Sequence, residues 1–289
     1  MTQVVPTANT VKAPLPLGLT LVTTLPRSGH VPGRYPTDAV MRLCLLLLLP
    51  LSVTAAEKLS VAAAANLIYT LEALNAEFRK AEPATDITVI TGASGSLVAQ
   101  IQNGAPFDVF LSADLEYPKK LVSLGLADPA SLTPFAVGRL VLWTTRPGID
   151  VSSVAAVVRD PRTQKIAVAN LTTAPYGKAA REALTRLGLW AEAEPKIVIG
   201  ENITQTAQFV ETGNADAGFV AMSLVLSPRL ANQGRWQEVD ADLHAPLTQG
   251  AVITRRGERN PAAARFLHFL RGPEARAVFE RFGYRAPKG

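Results

Sequence analysis

Four short segments of this 289-residue chain place small or polar residues directly before an amphipathic pattern. They are Ala63-Ala64-Ala65-Asn66, Gly92-Ala93-Ser94-Gly95, Thr173-Ala174-Pro175-Tyr176-Gly177 and Glu201-Asn202-Ile203-Thr204. Each reads as a turn entering a helix. The first N–H groups of a helix have no partner inside it and carry the positive end of its dipole, so such a start suits an anion. Asn66 offers a backbone N–H and a side-chain amide, or serves as a plain N-cap. Ser94 offers an N–H and a hydroxyl between glycines that let backbone approach a ligand, or belongs to an ordinary glycine turn. Tyr176 offers an N–H, with its ring near a cleft, or is a surface aromatic. Pro175 before it suits a helix start. Ile203 can give only its N–H, Asn202 caps that helix, and Glu201 points away. No Lys or Arg lies in these turns, so a bound anion would rest on neutral donors.

Other chemistries find less support. A hydrolase built on Ser94 would need a Gly-x-Ser-x-Gly elbow and a histidine base. Downstream of residue 56 the histidines are His244 and His268, the latter in an apolar helical pattern, and they show no metal-ligand spacing. We expect no enzyme activity and no cofactor, and a metal only inside an oxyanion. Of the formal charge of +5, residues 1–56 contribute +3 through Lys12, Arg27, Arg34, Arg42 and Asp38, which leaves +2. No basic stripe with interleaved aromatics remains, which argues against nucleic acid.

The turns need elements to hold them. Met41-Arg42, then Leu43-Cys44 and Leu45 to Leu49, then a small-residue stretch ending at Ala56, reads as a signal peptide cut after Ala56. The apolar run is too short to span a membrane, so the mature chain is expected outside the cytoplasm with no span. Residues 1–40 have no periodic pattern, and Met41 is the expected true start. Cys44 is the only cysteine, so no disulfide staples the fold, as a bacterial periplasmic protein with an adequate core allows. A buried strand is expected at Leu59 to Ala64, and further strands at Ile87 to Thr91, Asp108 to Ser112, Leu140 to Thr144, Lys165 to Ala169, Lys196 to Ile199 and Ala217 to Ala221; Leu247 to Thr254 is apolar again. Helical patterns separate most of them, as in Leu67, Leu71, Leu74 and Phe78. This alternation predicts an α/β fold with mainly parallel sheets.

These segments together resemble the periplasmic molybdate-binding proteins of ABC transporters, within the type II periplasmic binding proteins. The stretches that carry the resemblance include Val61-Ala62-Ala63-Ala64-Ala65-Asn66-Leu67, Gly92-Ala93-Ser94-Gly95-Ser96-Leu97, the run from Gly104 to Asp114, Ala174-Pro175-Tyr176-Gly177, the run from Val210 to Gly218, and Gly272-Pro273-Glu274-Ala275. Their order and spacing across residues 58–286 are more specific than any one motif. The resemblance implies two α/β lobes around a ligand cleft: residues 57–137 and 246–289 in lobe one, 138–245 in lobe two. It implies a monomer that captures molybdate, and tungstate too, for a membrane permease. Its ligand positions fall on Ala65, Asn66, Ser94, Tyr176 and Ile203. Relatives often carry Ser or Thr where Ala65 stands, and one subgroup has a tyrosine donor where Ala221 stands, so two hydroxyl donors are missing here. Sulfate or thiosulfate is the alternative cargo. Ferric ion is disfavoured because only Tyr176 is expected in the cleft, and hard oxygen ligands would be needed. A transcriptional effector-binding domain on this fold is disfavoured by the export signal.

Overall fold

The computed structural model describes residues 57–287. The signal segment, the cut after Ala56 and the start at Met41 lie outside the described residues. Ten strands form two five-stranded sheets. The first sheet uses β1 (Glu57–Ala64), β2 (Thr85–Gly92), β3 (Val109–Ser112), β4 (Thr133–Val137) and β10 (Thr248–Ile253), in the order β2-β1-β3-β10-β4. The second uses β5 (Leu140–Thr144), β6 (Ile166–Ala169), β7 (Ile197–Gly200), β8 (Ala217–Ala221) and β9 (Arg235–Glu238), in the order β7-β6-β8-β5-β9. The chain passes from the first sheet to the second once, at Val137-Gly138-Arg139-Leu140, and returns through residues 239–247. The result is a two-lobed α/β fold.

The sheets are mainly parallel, as expected, with one strand in each running against the other four. β1 pairs parallel with β2 and β3, but β10 lies antiparallel to β3 and β4. β6 pairs parallel with β7 and β8, while β5 is antiparallel to β8 and β9. Direction explains this. β1, β2 and β3 run toward the interlobe cleft and end at its turns. β5 and β10 begin at the crossovers beside the cleft, so they run the other way. Alternation along a strand had no means of showing that. The sequence pattern also passed over β4 and β9, which are short and lie at sheet edges.

Side-chain alternation divides the packing of the first sheet. Val61 and Ala63 face Leu71, Leu74 and Phe78 of α1 (Ile68–Ala81), while Ala62 and Phe110 face Leu97 and Val98 of α2 (Ser94–Gln102). Phe78 meets Phe266 edge-on, with centroids 5.2 Å apart, a favoured aromatic geometry. The second sheet packs Trp143, Val168 and Phe219 against α4 (Pro175–Arg186) and α5 (Ile203–Glu211); α3 (Glu116–Ser123) belongs to the first lobe. Small residues close the cleft end of β1, where Ala62, Ala63, Ala64 and Ala65 are all buried.

The start of α4 shows how tightly helix and strand are set. A Cβ at Gly177 would lie 2.5 Å from the Asn170 carbonyl oxygen and would collide with the Ala169 carbonyl. Helix propensity alone favours Gly→Ala by about 1 kcal/mol. The clash opposes it, with overpacking costing about 1–3 kcal/mol. Gly177→Ala is therefore expected to lower the thermal midpoint by several degrees; a raised midpoint in a melting experiment would contradict the packing described.

Candidate anion-binding site

The cleft ends of both sheets meet around a small cavity of about 10 Å³. Ala65, Asn66, Ser94, Tyr176 and Ile203 all line it, so the structure brings together the five positions singled out by sequence. Ala65 and Asn66 follow β1 in a single 3-10 turn that leads into α1. Ser94 opens α2, Tyr176 stands second in α4 after Pro175, and Ile203 opens α5. Asn202 caps α5, its Oδ1 accepting from Thr204 N–H at 3.0 Å and Gln205 N–H at 3.1 Å. Glu201 is exposed. No charged side chain lines the cavity.

The backbone N–H groups of Asn66, Ser94, Tyr176 and Ile203 form no hydrogen bond to another group among the described residues. All four residues are buried. A buried unpaired N–H is rare and costs free energy unless something accepts it. Ser94 adds a side-chain donor. Its Oγ accepts from Ala113 N–H at 3.1 Å, which leaves the hydroxyl proton free to donate. The arrangement is thus five donors with no formal charge, on residues of both lobes that line one cavity.

Asn66 differs from its expectation in two respects. It caps no helix, and its amide does not serve the cavity. Asn66 Nδ2 donates to Gln249 Oε1 at 2.9 Å and to the Tyr284 hydroxyl at 2.9 Å. Only its backbone N–H is left for a ligand, while its Oδ1 is a buried acceptor without a partner. The Asn66 carbonyl in turn accepts from Ser223 Oγ at 2.8 Å and Tyr284 Oη at 3.2 Å. The Tyr176 ring is buried rather than at the surface, and its hydroxyl has no partner. Burial pushes that phenol well above its ordinary pKa, with Tyr284 adding to the effect. Burial likewise pushes Tyr284 up to about 12, although hydrogen bonds from Ser223, Thr70 and Asn66 pull it back. Both phenols are therefore neutral at physiological pH. Ala221 lies in β8 without a hydroxyl to offer.

Direct contacts seal the two lobes over this cavity. Gly95 N–H donates to the Thr173 carbonyl at 2.9 Å, Tyr117 Oη to the Thr172 carbonyl at 2.9 Å, and Thr204 Oγ1 to the Ala65 carbonyl at 3.0 Å. The Lys178 ammonium sits 5.0 Å from the centre of the Tyr117 ring. Asp114 follows Ala113, one of the cavity residues. Burial raises its carboxyl pKa, opposed by hydrogen bonds from Tyr117 N–H and Ser112 and by Lys178.

Sequence reasoning missed Gln249, Tyr284, Ser223 and Tyr117. Gln249 carried a usable signal: one amide inside the apolar run from Leu247 to Thr254, where a buried polar side chain must find partners. The others become neighbours of the site only through the fold.

Gly95 marks where the lobes touch. A Cβ there would lie 2.5 Å from Tyr117 Oη and 3.0 Å from Thr173 Cα. Gly95→Ala is therefore expected to hold the lobes apart. Oxyanion affinity should fall about tenfold or more, the order of the 1–3 kcal/mol overpacking penalty. Titration calorimetry checks this, and small-angle scattering of the liganded variant should show the less compact form.

Residues 59–285 match the family model described as bacterial extracellular solute-binding protein. Molybdate-binding protein ModA of Azotobacter vinelandii is 42% identical over 231 residues, covering 79% of this chain and 90% of that protein. The ModA of Rhodobacter capsulatus is 40% identical, covering 80% of this chain and 89% of its own. Among solved structures, the Azotobacter vinelandii periplasmic molybdate-binding protein superposes with a TM-score of 0.75 at 35% identity, covering 80% of this chain and all of that one.

Proposed function

This chain belongs to the bacterial extracellular solute-binding proteins, and from that premise we propose that it captures molybdate, and tungstate with it, for import by an ABC permease. The observation that carries this reading is the set of unpaired, buried N–H groups of Asn66, Ser94, Tyr176 and Ile203 around one uncharged cavity. The relatives' names supply the cargo. The reading places the protein in the periplasm after cleavage behind Ala56, as a monomer without cofactor or catalysis. Residues 57–137 and 246–289 would move as one lobe against 138–245.

Capture follows from the donors. A dianion entering an open cleft would meet the Asn66 and Ser94 turns of one lobe or the Tyr176 and Ile203 turns of the other. Only closure supplies both sets. Hydrogen bonds to a charged acceptor contribute about 1.5–3 kcal/mol each, so five of them cover the ~8 kcal/mol of micromolar binding. The closed form, which the permease would read, is then favoured by its ligand. Ligand binding shifts such an equilibrium only as far as it distinguishes the two states, and donors split between lobes provide that difference.

The donor set also favours a fully deprotonated anion. Hydrogen phosphate brings an O–H that needs an acceptor, and the carbonyls of Ala65, Asn66 and Thr173 are already engaged. Thermal unfolding with each oxyanion tests the cargo. Molybdate and tungstate are expected to raise the midpoint by several degrees at a thousandfold excess over Kd, about 4 kcal/mol of linkage, with phosphate giving little. A shift with sulfate alone would change the cargo and keep the site. No shift with any of them would remove the oxyanion reading.

Ser94→Ala removes one donor hydroxyl and leaves its backbone N–H. Loss of one charge-assisted bond of about 1.5–3 kcal/mol should weaken molybdate binding roughly 10- to 100-fold, measured by calorimetry. Undiminished binding would exclude the hydroxyl from the site.

A further inference from the structure

Gln249 joins the Asn66 turn of the first lobe to Ala113, the residue that holds Ser94, and to the crossover between lobes. It lies in β10, fully buried. Its Nε2 donates to the Leu247 carbonyl at 3.0 Å and the Ala113 carbonyl at 3.1 Å. Both acceptors are main-chain oxygens, so the amide orientation is fixed: Oε1 must face Asn66, and Asn66 must present Nδ2 to it. Ala113 N–H is the group that holds Ser94 Oγ. Leu247 O also accepts from Gly138 N–H at 2.9 Å, and residues 247 and 138 belong to the two crossover segments. On the second lobe's side, a Cβ at Gly138 would lie 2.9 Å from Gln249 Nε2 and would collide with the Tyr176 hydroxyl. Tyr176 is itself one of the second lobe's cavity residues.

We infer that Gln249 is a positioning residue for anion capture: it locks the Asn66 turn to the Ser94 turn and ties both to the crossover on which the lobes close. Resting on the oxyanion reading above, it acts without touching the ligand. Removing its amide takes one of two partners from Asn66 Nδ2, which keeps the Tyr284 hydroxyl, and leaves the Ala113 carbonyl without its Gln249 donor. The two turns then lose their common register, and the N–H groups no longer converge on one point.

Gln249→Glu and Gln249→Met separate positioning from packing, with molybdate as the calorimetric probe and wild-type protein in the same series. Gln249→Met should weaken binding roughly tenfold to a hundredfold, the range for losing a partner behind a ligand-holding group. If Gln249 works through Asn66, adding Asn66→Ala to Gln249→Met should cost no more than the larger single loss. Gln249→Glu keeps the shape. Its protonated form accepts from Asn66 and donates one hydrogen bond. Its ionised form loses that donor and sets a negative charge behind the site.

Burial raises a carboxyl's pKa, so the Glu variant should bind nearly as wild type near pH 5.5. It should weaken progressively as pH rises and the carboxyl ionises, against a flat wild-type profile. The titratable neighbours do not blur this. Tyr176 and Tyr284 are held neutral by burial. Arg139 is paired with Glu238, and Asp114 is hydrogen-bonded to Tyr117 N–H and Ser112. Variants that bind within twofold of wild type at every pH, fully additive losses with Asn66→Ala, or a pH-independent deficit in the Glu variant would each overturn the assignment. Absence of binding by wild type to molybdate, tungstate or sulfate would instead refute the oxyanion reading itself.

Discussion

The governing constraint is that a helix start buried in a cleft leaves N–H groups that the protein cannot satisfy by itself. Four such groups, on Asn66, Ser94, Tyr176 and Ile203, share one cavity without a cation. An unpaired buried donor costs roughly 1–3 kcal/mol. The closed arrangement is therefore expensive without an acceptor and favourable with one. A lysine or arginine in the cavity would relieve that tension by attracting any anion, and it would also keep solvent counterions there. Neutral donors make closure depend on a ligand that can accept from every side.

The rest of the architecture serves that convergence. Strands β1, β2 and β3 all end at the cleft, so successive turns arrive at one edge of the first lobe. β6, β7 and β8 do the same in the second. The antiparallel strands β5 and β10 are the return paths of the two crossovers. Because β10 runs from the crossover into the first sheet beside β3, it carries Gln249 to Asn66 and to Ala113, which holds Ser94. The departure from a parallel sheet is thus what places a crossover residue beside the donors.

Much of this was legible in the sequence because its causes are local. Helix starts show in Pro175 and Asn202, and the buried strands show in apolar runs such as Leu140 to Thr144. Edge strands β4 and β9 were not legible, since Pro134 breaks one pattern and the exposed Arg235-Trp236-Gln237 stretch lacks an apolar run. Strand direction was illegible for a different reason: side-chain alternation is the same whichever way a strand runs. The destination of the Asn66 amide was hidden because its partners, Gln249 and Tyr284, are 183 and 218 residues away.

That last case bears on how such a site tolerates change. Asparagine at position 66 looks like a ligand donor, yet its amide is used on the protein side and only its backbone faces the cavity. The same holds for Ile203 and Tyr176, which line the cavity with backbone N–H groups that almost any residue could supply. Side-chain identity at these positions is then set by what lies behind them: Gln249 and Tyr284 for Asn66, and the packed crossover at Gly138 for the Tyr176 ring. The missing hydroxyls at Ala65 and Ala221 fit this logic. Where the backbone supplies the donors and a buried amide holds their register, a lost side-chain donor removes one bond but leaves the cavity's geometry intact.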